Sequence, residues 1–188
     1  MSLPAQSADV WSEDSLDLER LYSPAAIANF FIDKGCQTKN LVDPMKLQKL
    51  VYFAHGWCLA IYGRPLIDER IEAWTYGPVV PSLYHAIKHN GSAPLESPIA
   101  LRPSVFDDKP PRVDHDDNET VELLERIWEV YGKHSSLSLS QMSHDPEGAW
   151  HKIWEGEARR GRIKGVDIPE TLIKEYFIQL AAAKSATL

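Results

Sequence analysis

One amphipathic pattern between residues 44 and 62 constrains the fold of this 188-residue chain more than any other feature. Its apolar residues recur three and four positions apart, which is the spacing of a buried stripe on an α-helix. The stripe consists of Leu47, Leu50, Val51, Ala54, Trp57, Cys58 and Ile61. Asp43-Pro44 is a helix-start signal and Gly63 is a helix-stop signal. Because further apolar residues such as Phe53 lie outside the stripe, we expect a mainly α, compact domain built around this central apolar helix.

Similar start and stop signals predict shorter helices on both sides of the central one. Ser23-Pro24 predicts a helix that stops at Gly35, and Pro81 predicts another that is closed by Gly91. Apolar periodicity predicts further helices that begin near residues 118, 135, 145 and 169.

A small β element is expected to accompany the helices. Residues 72–76 alternate in polarity and end at Gly77-Pro78, a pattern typical of a short strand, and residues 163–168 are its expected partner in a two-stranded element. Composition divides the chain into a flexible acidic N-terminal arm (1–20), a helical domain (21–182) that contains a Pro-rich loop (92–117), and a tail (183–188).

Charge and cysteine content narrow the classes of function. The formal net charge of -7 disfavours a general nucleic-acid binder, because contacts with phosphates need a basic face. The two cysteines, Cys36 and Cys58, form no disulfide framework, and no signal peptide or membrane-spanning run is visible. We therefore expect a cytoplasmic protein without nucleic-acid or membrane partners.

The residues offer little support for an active site. His85 and His89 lie four positions apart and could face one cation in a metal-assisted hydrolase, an alternative that the sequence leaves open. His89 is explained more simply by its place at a helix end, where a cationic side chain suits the helix dipole. Cys58 lies in the apolar stripe, where a buried thiol is unreactive. No nucleotide-binding motif is present, so we predict no catalytic, metal or cofactor site.

The segment from Trp74 to Pro81 is the best candidate for an interaction site. Two aromatic residues precede a Gly-Pro turn that meets a helix start, and aromatic side chains on a fixed backbone make binding hot spots. A purely structural corner, with Trp74 in the core and Tyr76 covering the turn, is the alternative. The helix start at Pro81 is also expected to offer free backbone donors to an acidic group on a partner. The candidate residues are Trp74, Tyr76, Gly77, Pro78, Val79, Tyr84, His85 and Lys88, with Lys46 and Lys49 on the central helix as lesser candidates.

Three blocks of this sequence resemble the Panacea-domain family, which includes the SocA-like antitoxins and the phage-associated GepA-like proteins. The blocks lie within residues 47–57, 62–66 and 73–84, and the likeness extends over roughly residues 22–154. The resemblance implies an antitoxin that binds a cognate protein toxin and occludes it, with an AAA+ protease as a second expected partner. It supplies no catalytic residues. A phage-related interaction module without a toxin is the alternative that the resemblance leaves open.

Overall fold

The computed structural model describes residues 21–100, 109–158 and 165–185, and these form a mainly α fold as predicted. The described helices are α1 (Pro24–Thr38), α2 (Pro44–Tyr62), α3 (Pro81–Ile87), α4 (Asn118–Tyr131), α5 (Ser136–Ser143), α6 (Ala149–Ala158) and α7 (Glu170–Ser185), with a 3-10 turn at Lys88–Asn90. The described strands are β1 (Glu72–Trp74), β2 (Gly77–Val79) and β3 (Val166–Asp167).

Helix α2 is the centre of the fold, because α1, α3, α4, α5, α7 and β2 all pack against it. It begins as predicted, with the Asp43 side chain accepting a hydrogen bond from Lys46 N–H at 2.9 Å. It ends at Gly63, whose φ of 75° places it in the left-handed region that glycine tolerates. Most of the predicted stripe is buried. Ile61 differs: 57% of it is exposed, because it lies at the edge of an open apolar groove between α2 and α4.

Helix α1 continues past Gly35, so the predicted stop there is wrong. The helix ends at Thr38, and Lys39 adopts a left-handed conformation with a φ of 57°. Gly35 has a packing role instead, since the chain doubles back over it and a Cβ at this position would lie 3.1 Å from the Asn40 carbonyl oxygen. The glycine therefore marks a close approach of two backbone segments.

The small sheet contains three strands rather than the predicted two, in the antiparallel order β2-β1-β3. The expected pairing of β1 with residues in 163–168 is confirmed, since Ala73 pairs with Val166. The additional strand β2 begins at Gly77-Pro78, which the sequence analysis treated only as a strand end. Proline lacks the N–H group that a central strand needs, but β2 is an edge strand and loses no essential hydrogen bond.

The described parts of the Pro-rich loop are attached to the helical body. The buried side chain of Asn29 on α1 donates hydrogen bonds to the carbonyl oxygens of Ile99 (2.8 Å) and Pro111 (2.9 Å) and accepts one from Ile99 N–H. Leu95 N–H bonds to the Val42 carbonyl oxygen at 2.8 Å. One buried amide thus attaches two separate parts of the loop to α1.

The later helices begin and end close to the predicted positions. Asp145-Pro146 forms a turn rather than the first residues of α6, because Gly148 N–H bonds to the Asp145 carbonyl oxygen and the helix starts at Ala149. Helix α7 extends to Ser185, past the expected start of a tail at residue 183. None of the described helices combines the length and apolarity needed to cross a bilayer. The predicted arm (1–20) lies outside the described residues.

The contact between α2 and α7 gives a first prediction. A Cβ added at Gly56 would overlap the ring of Phe177, which is fully buried, so Gly56→Ala should lower the free energy of unfolding by about 1–3 kcal/mol. Gly156→Ala on α6 is the matched control, because nothing lies within 4 Å of an added Cβ there. This variant should raise the free energy of unfolding by up to about 1 kcal/mol. Urea denaturation of both variants measures the difference, and equal effects would contradict the packing described.

Candidate functional site

An open pocket of about 450 Å³ lies between the first turns of α2, the β1–β2 hairpin and α3. Six residues predicted for an interaction site line it: Lys49, Trp74, Tyr76, Val79, Tyr84 and Lys88. Residues that the sequence analysis did not single out complete the lining, among them Met45, Gln48 and Ile87. The fold therefore brings most of the candidate residues into one concave surface.

The aromatic side chains form one wall and the outer tip of the pocket. Trp74 is half-buried, and its ring meets the ring of Tyr84 edge to face, with 4.7 Å between the centroids. The indole N–H of Trp74 donates to a carboxylate oxygen of Glu72 at 2.7 Å. Tyr76 at the hairpin tip is 69% exposed. Trp74 thus combines a packing role with a place in the pocket wall, whereas Tyr76 extends into solvent.

The backbone of the corner is fixed by side chains that lie behind it. Ser140 Oγ donates to the Tyr76 carbonyl oxygen at 3.2 Å, and Lys49 Nζ donates to that of Pro78 at 3.0 Å. The amide of Gln48 bonds to both the N–H (2.9 Å) and the carbonyl (3.2 Å) of Val80. These contacts hold successive peptide groups in one conformation, so the aromatic side chains stand on a preorganised backbone.

Lys49 is an unusual member of this site, because only 1% of it is exposed. Burial disfavours the charged ammonium group and lowers the pKa of Lys49 to about 7. A Cβ placed on Gly77 would lie 2.5 Å from Lys49 Nζ, 2.7 Å from Ser143 Oγ and 3.1 Å from His144 Nε2. These polar atoms therefore converge on the side of the corner where glycine has no side chain.

His144 belongs to the same polar cluster, although the sequence analysis did not single it out. Its ring stacks on Trp150 with 4.0 Å between the centroids. Burial lowers the pKa of His144, and the nearby Lys49 lowers it further. Ser143 and His144 lie far from Gly77 in the sequence, so only the tertiary packing of α5 against β2 shows the cluster. Gln48 and Lys49 did carry a signal, because they are polar residues within an otherwise apolar run.

Lys46 does not join the pocket. It is buried, and its ammonium group donates to the Gly132 carbonyl oxygen at 2.6 Å and to Asn40 Oδ1 at 3.2 Å. Burial lowers the pKa of Lys46, while Asp43 acts in the opposite direction. Lys46 therefore links α2 to the end of α4 rather than facing the pocket.

The two histidines of the hydrolase alternative are exposed on α3 and the following turn. Because α3 ends at Ile87 and continues as a 3-10 turn, the regular one-turn spacing of His85 and His89 is not kept. Among the described residues, the one group of three or more side chains able to hold a metal is the exposed cluster Asp114, His115 and Asp116. The metal-site alternative gains no support from this geometry.

At the start of α3, the backbone donor of Ser82 is already used within the chain, whereas free donors were predicted there. The carboxylate of Glu69 accepts hydrogen bonds from both the N–H (2.8 Å) and the hydroxyl of Ser82. A carboxylate at this position suits the positive end of the helix dipole. The chain thus supplies its own acidic group at the helix terminus.

The buried ammonium group predicts a pH-dependent stability. The pKa of Lys49 is about 7 in the folded chain, against the ordinary lysine value of 10.5 in an unfolded chain. Between these two pKa values the unfolded state binds a proton that the folded state lacks. The free energy of unfolding of the wild type therefore rises as the pH rises. The Lys49→Met variant loses this dependence. The free energy of unfolding of Lys49→Met minus that of the wild type should therefore fall by on the order of 3 kcal/mol between about pH 7 and pH 10.

Urea denaturation at both pH values measures this effect, with Lys133→Met as the control. Lys133 is exposed in the connection between α4 and α5, so the same charge change there should leave a difference from the wild type that is independent of pH. A constant difference for Lys49→Met as well would contradict the burial of a titrating amine.

Comparison with known proteins assigns the chain to a family. The family model described as antitoxin SocA-like, Panacea domain, matches residues 47–151, which include α2, the hairpin and α3. Antitoxin SocA of Caulobacter vibrioides (strain NA1000 / CB15N) is 32% identical over 157 residues, which cover 81% of this chain and 80% of that protein. The comparison with solved structures gives no match. The chain therefore belongs to the Panacea-domain family of SocA-like antitoxins.

Proposed function

We propose that this protein is an antitoxin that neutralises a cognate protein toxin by direct binding. The similarity to Antitoxin SocA over 81% of the chain is the observation that carries the proposal. The proposed role is occlusion and requires no catalytic residue of this chain. The two cysteines are free thiols, in agreement with a reducing, cytoplasmic site of action.

We propose the pocket and its aromatic rim as the surface that contacts the toxin. Tyr76 presents a largely exposed ring on a backbone that hydrogen bonds hold from behind, so binding would cost little conformational entropy. The adjoining pocket is lined mainly by apolar and aromatic side chains, and it offers space for a side chain of the partner. His85, beside Tyr84 on the outer face of α3, would contribute at the edge.

A second part of the proposal concerns the fate of the bound toxin. We propose that the antitoxin also presents the toxin to an AAA+ protease, with the polar, acidic segment 1–20 as the handle. The toxin's half-life should then be shorter in cells that contain the full chain than in cells that contain a chain without this segment. Equal half-lives would remove the protease from the proposal and leave occlusion unaffected.

Co-expression with the product of the adjacent gene tests the main proposal. The adjacent product should stop growth when expressed alone, and growth should return when this chain is co-expressed and co-purifies with it. Co-purification without toxicity would instead identify an interaction module that has no toxin. Toxicity without rescue or complex formation would contradict the proposal.

Point variants test the surface. Tyr76→Ala and Tyr84→Ala remove aromatic contacts, so each should raise the Kd for the adjacent gene product by at least about tenfold. Isothermal titration calorimetry measures this change, and thermal unfolding checks that each variant is folded. Ile178→Ala is the control, because Ile178 is 46% exposed on α7 and lies outside the pocket. A loss of affinity in the control that matches the loss in the tyrosine variants would place the interface elsewhere.

A further inference from the structure

The ammonium group of Lys49 has hydrogen-bonding capacity that the described residues do not use. An ammonium group has three N–H donors, and among the described residues Lys49 Nζ bonds to one acceptor, the Pro78 carbonyl oxygen. It forms no ion pair with any described residue, and burial is the cause of its lowered pKa. A buried charge without a counter-charge is costly, so an acidic group brought to this position would favour the charged form of the amine.

Two further polar groups lie beside Gly77, close to the amine of Lys49. Ser143 Oγ donates to the Ser140 carbonyl oxygen at 2.7 Å. Burial has the largest effect on the pKa of His144 and lowers it, against the smaller, opposite effect of a hydrogen bond to the Tyr76 backbone. A Cβ at Gly77 would overlap Lys49 Nζ and Ser143 Oγ, so this polar cluster is closely packed, and Lys49 is the member of it that also lines the pocket.

The charges around the pocket favour an anionic ligand. The lining contains two charged residues, and both are lysines: Lys49 is buried in the wall, and Lys88 is exposed in the 3-10 turn after α3. No carboxylate is among the lining residues. The pocket lining is thus positively charged, although the formal net charge of the chain is -7. His144 at the end of α5 is a titratable group close to Lys49, and the rings of Tyr76 and Tyr84 line the same pocket as Lys49. The rest of the lining is apolar or aromatic, which suits an aliphatic or aromatic stem.

We propose that this pocket binds a carboxylate on an apolar stem, presented by an acidic side chain of the protein partner, with Lys49 as the counter-charge. The stem lies among Trp74, Tyr76 and Tyr84, and the carboxylate reaches Lys49 in the pocket wall. The identity of the partner rests on the proposed function, whereas the carboxylate site itself does not. Pairing the ammonium group with a carboxylate removes the cost of the unpaired charge, so the interaction discriminates against a neutral group of the same shape.

Titration of the full chain with phenylacetate tests the site, with phenylacetamide as the neutral probe of matched shape. Nuclear magnetic resonance of isotope-labelled tryptophan and lysine reports on Trp74 and Lys49. Phenylacetate should shift both signals saturably, and phenylacetamide should bind at least about tenfold more weakly. Lys49→Met should abolish the preference for the carboxylate, and Lys133→Met should retain it. Equal binding of the two probes, or an unchanged preference in Lys49→Met, would overturn the proposal.

The titration of Lys49 itself supplies a measurement that needs no variant. A bound carboxylate favours the ammonium form, so saturating phenylacetate should move the titration midpoint of Lys49 upward from about 7. Phenylacetamide should leave the midpoint unchanged. An unchanged midpoint with phenylacetate would show that the carboxylate does not reach the amine, and it would overturn the proposal even if Lys49→Met failed to fold.

The partner experiment separates this inference from the proposed function. A toxin that binds the wild type and Lys49→Met equally, together with no preference for phenylacetate, overturns the carboxylate site and leaves the antitoxin function intact. A clear preference for phenylacetate, together with no binding of the adjacent gene product, supports the site and counts against the proposed function. At least about tenfold weaker toxin binding by Lys49→Met, with Lys133→Met unaffected, supports both.

Discussion

The hydrogen bonds from Gln48 and Lys49 to the hairpin corner are the contacts on which the candidate site depends. Both side chains are buried on α2, the helix against which most of the other elements pack. They bond to the backbone at Pro78 and Val80, where β2 gives way to α3. The position of the pocket is thus set by the helix that also organises the core, and a disturbance of α2 would displace the aromatic rim.

This arrangement explains why a small domain can hold an exposed aromatic surface in one conformation. The corner is short and contains a glycine with a φ of 100°, so its own local preferences would not fix it. Side chains from α2 and α5 bond to four of its peptide groups, and the ring of Trp74 packs against that of Tyr84. This support requires the amine of Lys49 to be buried in the pocket wall, which is unfavourable for a charged group. The same amine is the group that we propose to pair with an anion.

Features set by neighbouring residues could be predicted from the sequence, whereas features set by tertiary contacts could not. Helix α2 was predictable because its cap, stripe and final glycine are local signals, and the aromatic rim was predictable because its members lie within one short segment. The edge strand β2 was missed because Pro78 is a breaker in most strands, and its tolerance at an edge depends on tertiary context. Likewise, Gly35 looks like a helix stop in the sequence but marks a close approach of two backbone segments, and nothing local connects His144 with Gly77.

The central claim is that the hairpin corner and α3 form the surface that binds the toxin. Amide hydrogen exchange of the full chain, measured alone and mixed with the product of its adjacent gene, tests this claim most directly. The account predicts slower exchange in the complex across residues 74–90, with α7 unchanged. Protection confined to other elements, such as the groove between α2 and α4, would contradict the account, because the toxin would then bind a different face of this domain.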